Sequence, residues 1–263
     1  MIGPKGFSAF EPLGLLVEGF EYQPAFGIPY NPFYYPSLIE NAGFQATGDI
    51  LSGWLEKGFK YDPKIDAVAS RVQERRGLRI ASFQNRTELR GLLSKFQTLY
   101  NEAIKGTVGN YPITRAEART VTNQMLWFGD PSLIKIIMKE DEPVGFLFAY
   151  PDVTPALKQC QGRIFPLGWL DLLHELRTTK LINVNGMALK EEYRGSGGTA
   201  ILFKEIIEAV NNSRYTRAEI VQVKSSHRRS GLAPRCRFIA SWGCRSSQGC
   251  DEILHRVQWQ KVA

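Results

Sequence analysis

Between residues 77 and 223 the hydrophobic pattern changes period several times, and each change marks an element. Gly77-Leu78-Arg79-Ile80-Ala81-Ser82-Phe83 alternates apolar and polar positions, which predicts a half-buried strand. Over 88–104, Leu89, Leu92, Leu93, Phe96, Leu99, Tyr100 and Ala103 recur at helical spacing and predict one amphipathic helix. Thr114-Arg115-Ala116-Glu117 reads as a capping box that opens another helix. Leu133–Lys139 and Pro143–Tyr150 read as strands, joined through Glu140-Asp141-Glu142 as an antiparallel hairpin. Residues 152–176 are mixed and helical in their second half; His174 there reads as a packed or partly exposed helix residue rather than a catalytic one. Leu181–Leu189 predicts a strand, Lys190–Gly198 a polar turn ending in glycines, Thr199–Asn211 a helix, and Ala218–Val223 a strand. The helix has an apolar face of Leu202, Phe203, Ile206, Ala209 and Val210, and the whole unit has the length of a βαβ crossover.

The flanks are different. Residues 1–62 carry 13 of the chain's 30 aromatic residues together with Pro24, Pro29, Pro32 and Pro36, so continuous regular structure is not expected before Ser37. A short helix over Ser37–Ala42 stopped by Gly43, then a strand over Asp49–Leu55, follow. Asp62-Pro63 opens a polar joint, read as a linker over 63–76. At the other end, residues 224–263 hold eight of the 33 bases and two of the 26 acids, so the net charge of +7 belongs to that tail and the body is nearly neutral. Nucleic-acid binding by the tail is therefore the only form that such a contact would take, and its sparse aromatics (Phe238, Trp242, Trp259) argue against it. Cys236, Cys244, Cys250, His227 and His255 lack the paired spacing of a zinc site, and no metal is expected. No apolar run is long enough to span a membrane and the first twenty residues are not a secretory signal; the expected location is cytoplasmic, with no membrane partner.

The candidate chemistry lies in Tyr193-Arg194-Gly195-Ser196-Gly197-Gly198-Thr199-Ala200. Glycines at a helix start allow close approach of a ligand to the backbone, and the free N–H groups and helix dipole there favour an anion. The same turn can equally be one that only reverses the chain. No Gly-Lys-Ser or Gly-Lys-Thr occurs, so a P-loop is excluded. Gly195-x-Gly197-x-x-Ala200 matches a dinucleotide fingerprint by letter, with Glu219 near the distance of a ribose contact. Yet five residues separate Leu189 from Gly195, Glu219 opens its strand rather than closing it, and the chain before Leu181 is not repeated βαβ.

Arg194-Gly195-Ser196-Gly197-Gly198-Thr199 resembles the R-x-x-G-x-G/A pyrophosphate loop of the GNAT acyltransferases, departing from it at Thr199. The order over 77–223 is similar too: strand, two helices, hairpin, strand–loop–helix–strand. The resemblance implies an α/β fold with a mixed sheet (α+β, GNAT-like) and an acyl-CoA-dependent N-acyltransferase. It implies that acetyl-CoA or another acyl-CoA is the cosubstrate, with its pyrophosphate on Arg194, Gly195, Ser196, Gly197, Gly198 and Thr199. Its pantetheine arm would follow Met187, Ala188 and Leu189 where the strands 181–189 and 218–223 splay apart. An amine-bearing partner would enter a pocket shaped by residues 88–128, with Tyr100 and Asn101 at its rim, although Tyr100 could equally be core. The catalytic base and acid remain unassigned.

Two further readings concern the ends. In GNAT proteins the loop helix and its strand lead to another helix and two strands, and 224–263 shows no such pattern; its Arg, Ser and Cys content suggests an out-of-frame or disordered tail. Residues 31–44, Asn31-Pro32-Phe33-Tyr34-Tyr35 through Gly43-Phe44, resemble the end of an earlier GNAT repeat, as in an uncharacterised bacterial group with two repeats. The expected division is a remnant of a first repeat over 1–62, the linker, a GNAT-like domain over 77–223 and the tail, the chain being a fragment that lacks its front. The alternatives are a degenerate acyl-CoA-binding protein without turnover, and a nicotinamide-dependent oxidoreductase.

Overall fold

The computed structural model describes residues 2–4, 6, 13–59, 63–81, 83, 85–93, 95–105, 111–194, 197–224 and 253–261. Its strands are β1 (Ile2–Gly3), β2 (Leu15–Glu18), β3 (Phe44–Glu56), β4 (Leu78–Ala81), β5 (Ile134–Lys139), β6 (Glu142–Pro151), β7 (Leu181–Leu189), β8 (Arg217–Lys224) and β9 (Ile253–Lys261). Its helices are α1 (Tyr35–Asn41), α2 (Lys64–Arg76), α3 (Arg86–Leu93), α4 (Phe96–Ile104), α5 (Arg115–Phe128), α6 (Thr154–Gln159), α7 (Trp169–Thr178) and α8 (Gly198–Asn211). The described strands form one mixed sheet in the order β1-β9-β3-β8-β7-β6-β5-β4, with β2 also on β9. Only β7 and β8 pair in parallel, as the crossover through α8 requires. The expected mixed α/β architecture is the one found.

The sheet is covered on both faces by helices whose sequence periods suit that role. On one face α2 and α8 enclose Leu55, Ile137, Val144, Leu147, Ile182, Val184, Leu202 and Ile206. On the other, α3, α4 and α5 enclose Phe96, Leu99, Tyr100, Ile136, Phe146 and Phe148, with the rings of Phe146 and Phe148 stacked 4.6 Å apart. Each fully buried Leu, Ile or Phe contributes about 1.5–3 kcal/mol. The capping box forms as expected: the Glu117 carboxylate accepts from the Thr114 N–H at 2.7 Å, and the Thr114 hydroxyl accepts from the Glu117 N–H at 3.2 Å. The β5–β6 hairpin closes through Glu140, which takes a left-handed φ of 52°.

Several expectations need correction. The polar joint over 63–76 is helix α2, because Ile65, Val68, Ala69 and Val72 share one face beneath the charged residues, and Gly77 ends it at a φ of 62°. The single helix over 88–104 is two, α3 and α4, with Lys95 in a non-helical cap conformation between them. The strand placed at 49–55 runs from Phe44 and sits between β8 and β9, so residues on both sides of position 62 share one sheet. The tail contributes β9, which pairs antiparallel with β3, β2 and β1. The rest of the tail, 225–252, lies outside the described residues.

Candidate functional site: a fork between two strands

Strands β7 and β8 start as neighbours and then part. They pair from Leu181↔Arg217 to Val184↔Ile220; beyond that point, β7 continues to Leu189 and β8 to Lys224 with no pairing between them. The cause lies across β7, in its ladder with β6. Phe148 faces Gly186 and Ala149 faces Val184, so Asn185 is an extra residue on β7. A bulge of this kind bends its strand and steepens the twist, which carries Asn185–Leu189 away from β8. Met187, Ala188 and Leu189 therefore keep β6 on one side and present a backbone edge to the opening on the other.

The glycine turn lies a few residues past the end of β7. A short 3-10 turn over Glu191–Tyr193 leads to Arg194, and Gly197 caps α8 at a left-handed φ of 89°. Among the described residues no side chain caps α8; the Ala200 N–H donates to the Gly197 carbonyl at 2.9 Å, and the N–H groups of Gly198 and Thr199 have no acceptor within the helix. Both described glycines are also closely packed. A Cβ on Gly197 would lie 2.8 Å from Val68 and Val72 of α2, and one on Gly198 would lie 3.1 Å from Leu189. Gly195 and Ser196 lie outside the described residues.

Arg194 does not point freely into solvent. Its Nε donates to the Leu189 carbonyl at 3.0 Å, and its Nη2 donates to the Ala103 carbonyl in the last turn of α4. Three residues of this brace, Lys190, Glu102 and Glu142, were not singled out from sequence. Lys190, buried, holds Glu102 of α4 and Glu142 of β6, each at 2.5 Å. Burial pulls the Lys190 ammonium down, but its bonds to the two carboxylates outweigh this and raise it. The Lys190 bond in turn lowers Glu142. The turn is thus fixed to α4 by a guanidinium that bridges the Leu189 carbonyl of β7 and the Ala103 carbonyl of α4, and by a carboxylate–ammonium–carboxylate chain.

On its outer side, the turn meets a basic cleft. Val68, Arg71, Val72, Arg75 and Arg76 line a cleft of about 410 Å³ along α2, and the two valines are those that touch Gly197. Three guanidinium groups within about a turn and a half of one helix, beside the N-terminus of another, create a positive field. Sequence reading passed over them because it took this stretch for a linker.

A row of polar groups crosses the sheet just before the fork. Asn183 faces Glu219 in the last-but-one β7–β8 pair and Tyr150 on β6, and all three lie on the face carrying α3–α5. Asn183 donates to Asp152 at 3.0 Å, and Asn185 donates to the Tyr150 hydroxyl at 2.9 Å. Asp152, Asn183 and Glu219 are buried. Burial pushes the Tyr150 phenol up, with the charges of Asp152 and Glu219 adding to it. The two residues expected at the acceptor rim are engaged elsewhere. Tyr100 is buried against Phe96 and Phe146, and Asn101 holds both the N–H and the carbonyl of Ile113. His174 is exposed on α7, apart from the fork's polar row. Among the described residues no group of three or more His, Cys, Asp or Glu could hold a metal, and no helix is long and apolar enough to cross a membrane.

No protein-family model matches the chain. Over 258 residues it is 24% identical to Protein YghO of Escherichia coli (strain K12), covering 97% of this chain and 61% of that protein. Over 202 residues it is 26% identical to the bacterial ceramide synthase of Caulobacter vibrioides, covering 74% of this chain and 51% of that protein. The chain thus spans about half to three-fifths of the length of these curated relatives. Among solved structures it is similar to a GCN5-related N-acetyltransferase from Sphaerobacter thermophilus, with a TM-score of 0.49 and 12% identity over 89% of this chain and 56% of that one. It is also similar to L-PGS from Bacillus licheniformis, with a TM-score of 0.40 and 12% identity over 89% of this chain and 66% of that one. The chain is therefore a mixed α/β protein with distant sequence similarity, over most of its length, to YghO and to a bacterial ceramide synthase.

Proposed function

We propose that the fork is the acyl-CoA site of an N-acyltransferase that moves an acyl group directly from the thioester to an amine. The observation that carries this reading is the coincidence of three features at one place. These are a strand edge over 185–188 that β8 leaves unpaired, an α8 N-terminus without a side-chain cap among the described residues, and the arginines of α2 beside it. An extended amide-bearing arm adds to a strand edge through main-chain hydrogen bonds. A pyrophosphate suits the N–H groups of Gly197–Thr199, and Arg71, Arg75 and Arg76 supply counter-charge for further phosphate. Arg194 acts by holding the turn in place.

Acyl-CoA supplies an activated carbonyl and a thiolate leaving group. The amine nitrogen bonds to that carbonyl carbon, the C–S bond breaks, the nitrogen loses one proton and the sulfur gains one. Glu219 at the fork is the carboxylate that accepts the amine's proton. Tyr150, whose phenol burial keeps protonated, is the nearby donor for the thiolate. The relative named as a ceramide synthase extends the choice of amine, since ceramide is an N-acylated long-chain amino alcohol.

The test combines binding and turnover. Coenzyme A, but not NAD, is expected to raise the melting temperature; a ligand at 100 times its Kd adds about 2.7 kcal/mol. Thiol release from acyl-CoA is followed with a panel of short amines and long-chain amino alcohols. Glu219→Gln is expected to lower turnover at least tenfold while keeping the coenzyme A melting shift. Protection by NAD alone, or by neither ligand, overturns the site. Protection without turnover on any amine leaves a binding protein in place of an enzyme.

A further inference from the structure

Between β6 and β7 the chain leaves the sheet for almost thirty residues, and this excursion has an unusual outer surface. After α6 comes a single wide turn over Ile164–Gly168, then α7. Ile164, Phe165, Leu167, Trp169, Leu170 and Leu173 are all exposed, Phe165 at 83% and Leu167 at 66%. On α7, Trp169, Leu170 and Leu173 share the outward face, while Leu172 and Leu176 are half-buried on the inward one together with Asp171 and Glu175. A helix that faces only water carries polar residues on its outward face. A contiguous run of apolar side chains of this size marks an interaction surface.

Charge decides what that surface meets. The exposed ionisable residues over 158–180 are Lys158, Arg163, His174, Arg177 and Lys180; both acids of the stretch are among its half-buried residues. An apolar ridge rimmed only by bases is the pattern of a segment that lies in the interface of an anionic bilayer. A second apolar surface, with Phe33, Tyr34, Tyr35 and Leu38, differs on this point: no Lys or Arg occurs between Leu13 and Glu56, whereas Glu18, Glu21, Glu40, Asp49 and Glu56 do. Trp169 also donates its indole N–H to the Pro166 carbonyl at 2.9 Å, which holds the wide turn against the start of α7.

We propose that residues 163–177 form a peripheral docking surface for an anionic lipid bilayer, with Phe165, Leu167, Trp169 and Leu170 entering the interface and Arg163 and Arg177 on lipid phosphates. The sequence shows no spanning segment and was read above as having no membrane partner; a surface contact needs no such segment. The inference does not depend on the acyltransferase reading.

The full chain is mixed with sedimentable vesicles of phosphatidylcholine alone or of phosphatidylcholine and phosphatidylglycerol at 7:3, in low and in 0.5 M salt. Binding is expected on the mixed vesicles, weaker in high salt. The pairs Phe165→Ser with Leu167→Ser, and Arg163→Glu with Arg177→Glu, are each expected to lower partitioning at least tenfold. Because these side chains are exposed, the melting temperature is expected to hold, and a coenzyme A melting shift, where present, to persist. The basic tail would bind anionic vesicles by charge alone, so binding that survives both pairs unchanged overturns the proposal. So does no binding at all, and so does self-association by light scattering that the Phe165 and Leu167 pair abolishes, since a second copy would then cover the ridge.

Discussion

Single side chains in this protein fasten elements that are far apart in sequence, and Tyr215 is the clearest titratable case. It is fully buried, and its hydroxyl donates to Asp130 at 3.0 Å across 85 residues. Burial, with the Asp130 charge, pushes its phenol up to about 12, although the bond from Arg214 works the other way. An unfolded tyrosine titrates near ~10. The native state therefore keeps a proton that the unfolded chain loses, and the stabilisation is complete below pH ~10 and lost as pH climbs through the folded value. Tyr215→Phe is expected to cost about 1 kcal/mol at neutral pH. It should also remove the Tyr215 share of the stability decline between pH ~9 and pH ~11.5 in urea titrations, leaving the shares that belong to Tyr150 and Lys190. An unchanged alkaline slope in the variant would show that Tyr215 titrates normally. Gly197 and Gly198 carry a related lesson. They were read as sites of ligand approach, and the letters alone could not reveal that α2 and Leu189 already occupy the space that a side chain would need.

At the scale of elements, β9 shows most sharply what could not be read from the chain. Its residues pair on both sides, Val257 with Asp49 of β3 and with Leu15 of β2. Proline at 257 would remove a ladder donor from an interior strand, so Val257→Pro is expected to destabilise by about 3 kcal/mol or more, read as a lower urea midpoint. An unshifted midpoint would mean that β9 contributes nothing. The strand escaped notice because its partners are some 200 residues distant and its neighbours in sequence are dominated by Arg and Ser. The helix α2 was missed for a different reason: its apolar positions are mostly small or β-branched and sit among six charged residues. By contrast, β4 through β8 were legible because each has a clear period or a local signal, such as the Thr114–Glu117 box. The fork was legible only through family resemblance. Its physical cause, the bulge at Asn185, is a register shift that no pattern in Asn183-Val184-Asn185-Gly186 announces.

For the whole molecule, the continuous sheet bears on how the chain unfolds. A boundary near residue 62 would divide an aromatic first region from a second unit, and two such units would melt separately. In the structure β3 belongs to the first region but lies between β8 and β9, and α2 packs across the head of α8. Separating the regions would strip β8 of a partner along Ile50–Glu56 and uncover Leu51 and Leu55, which share a core with Ile182, Val184 and Leu202. That loss falls on β8, the strand whose parting from β7 forms the fork. One cooperative transition is therefore expected, with calorimetric and van't Hoff enthalpies equal. Amides of Leu51–Leu55 and of Ile182–Val184 should exchange through openings of the same free energy. Opening of β3 at a much lower free energy than β7 would restore the boundary. If the transition is single, a ligand at the fork must raise it as a whole, β3 included, because the strand that forms one side of the opening is held in place by the region that precedes it in sequence.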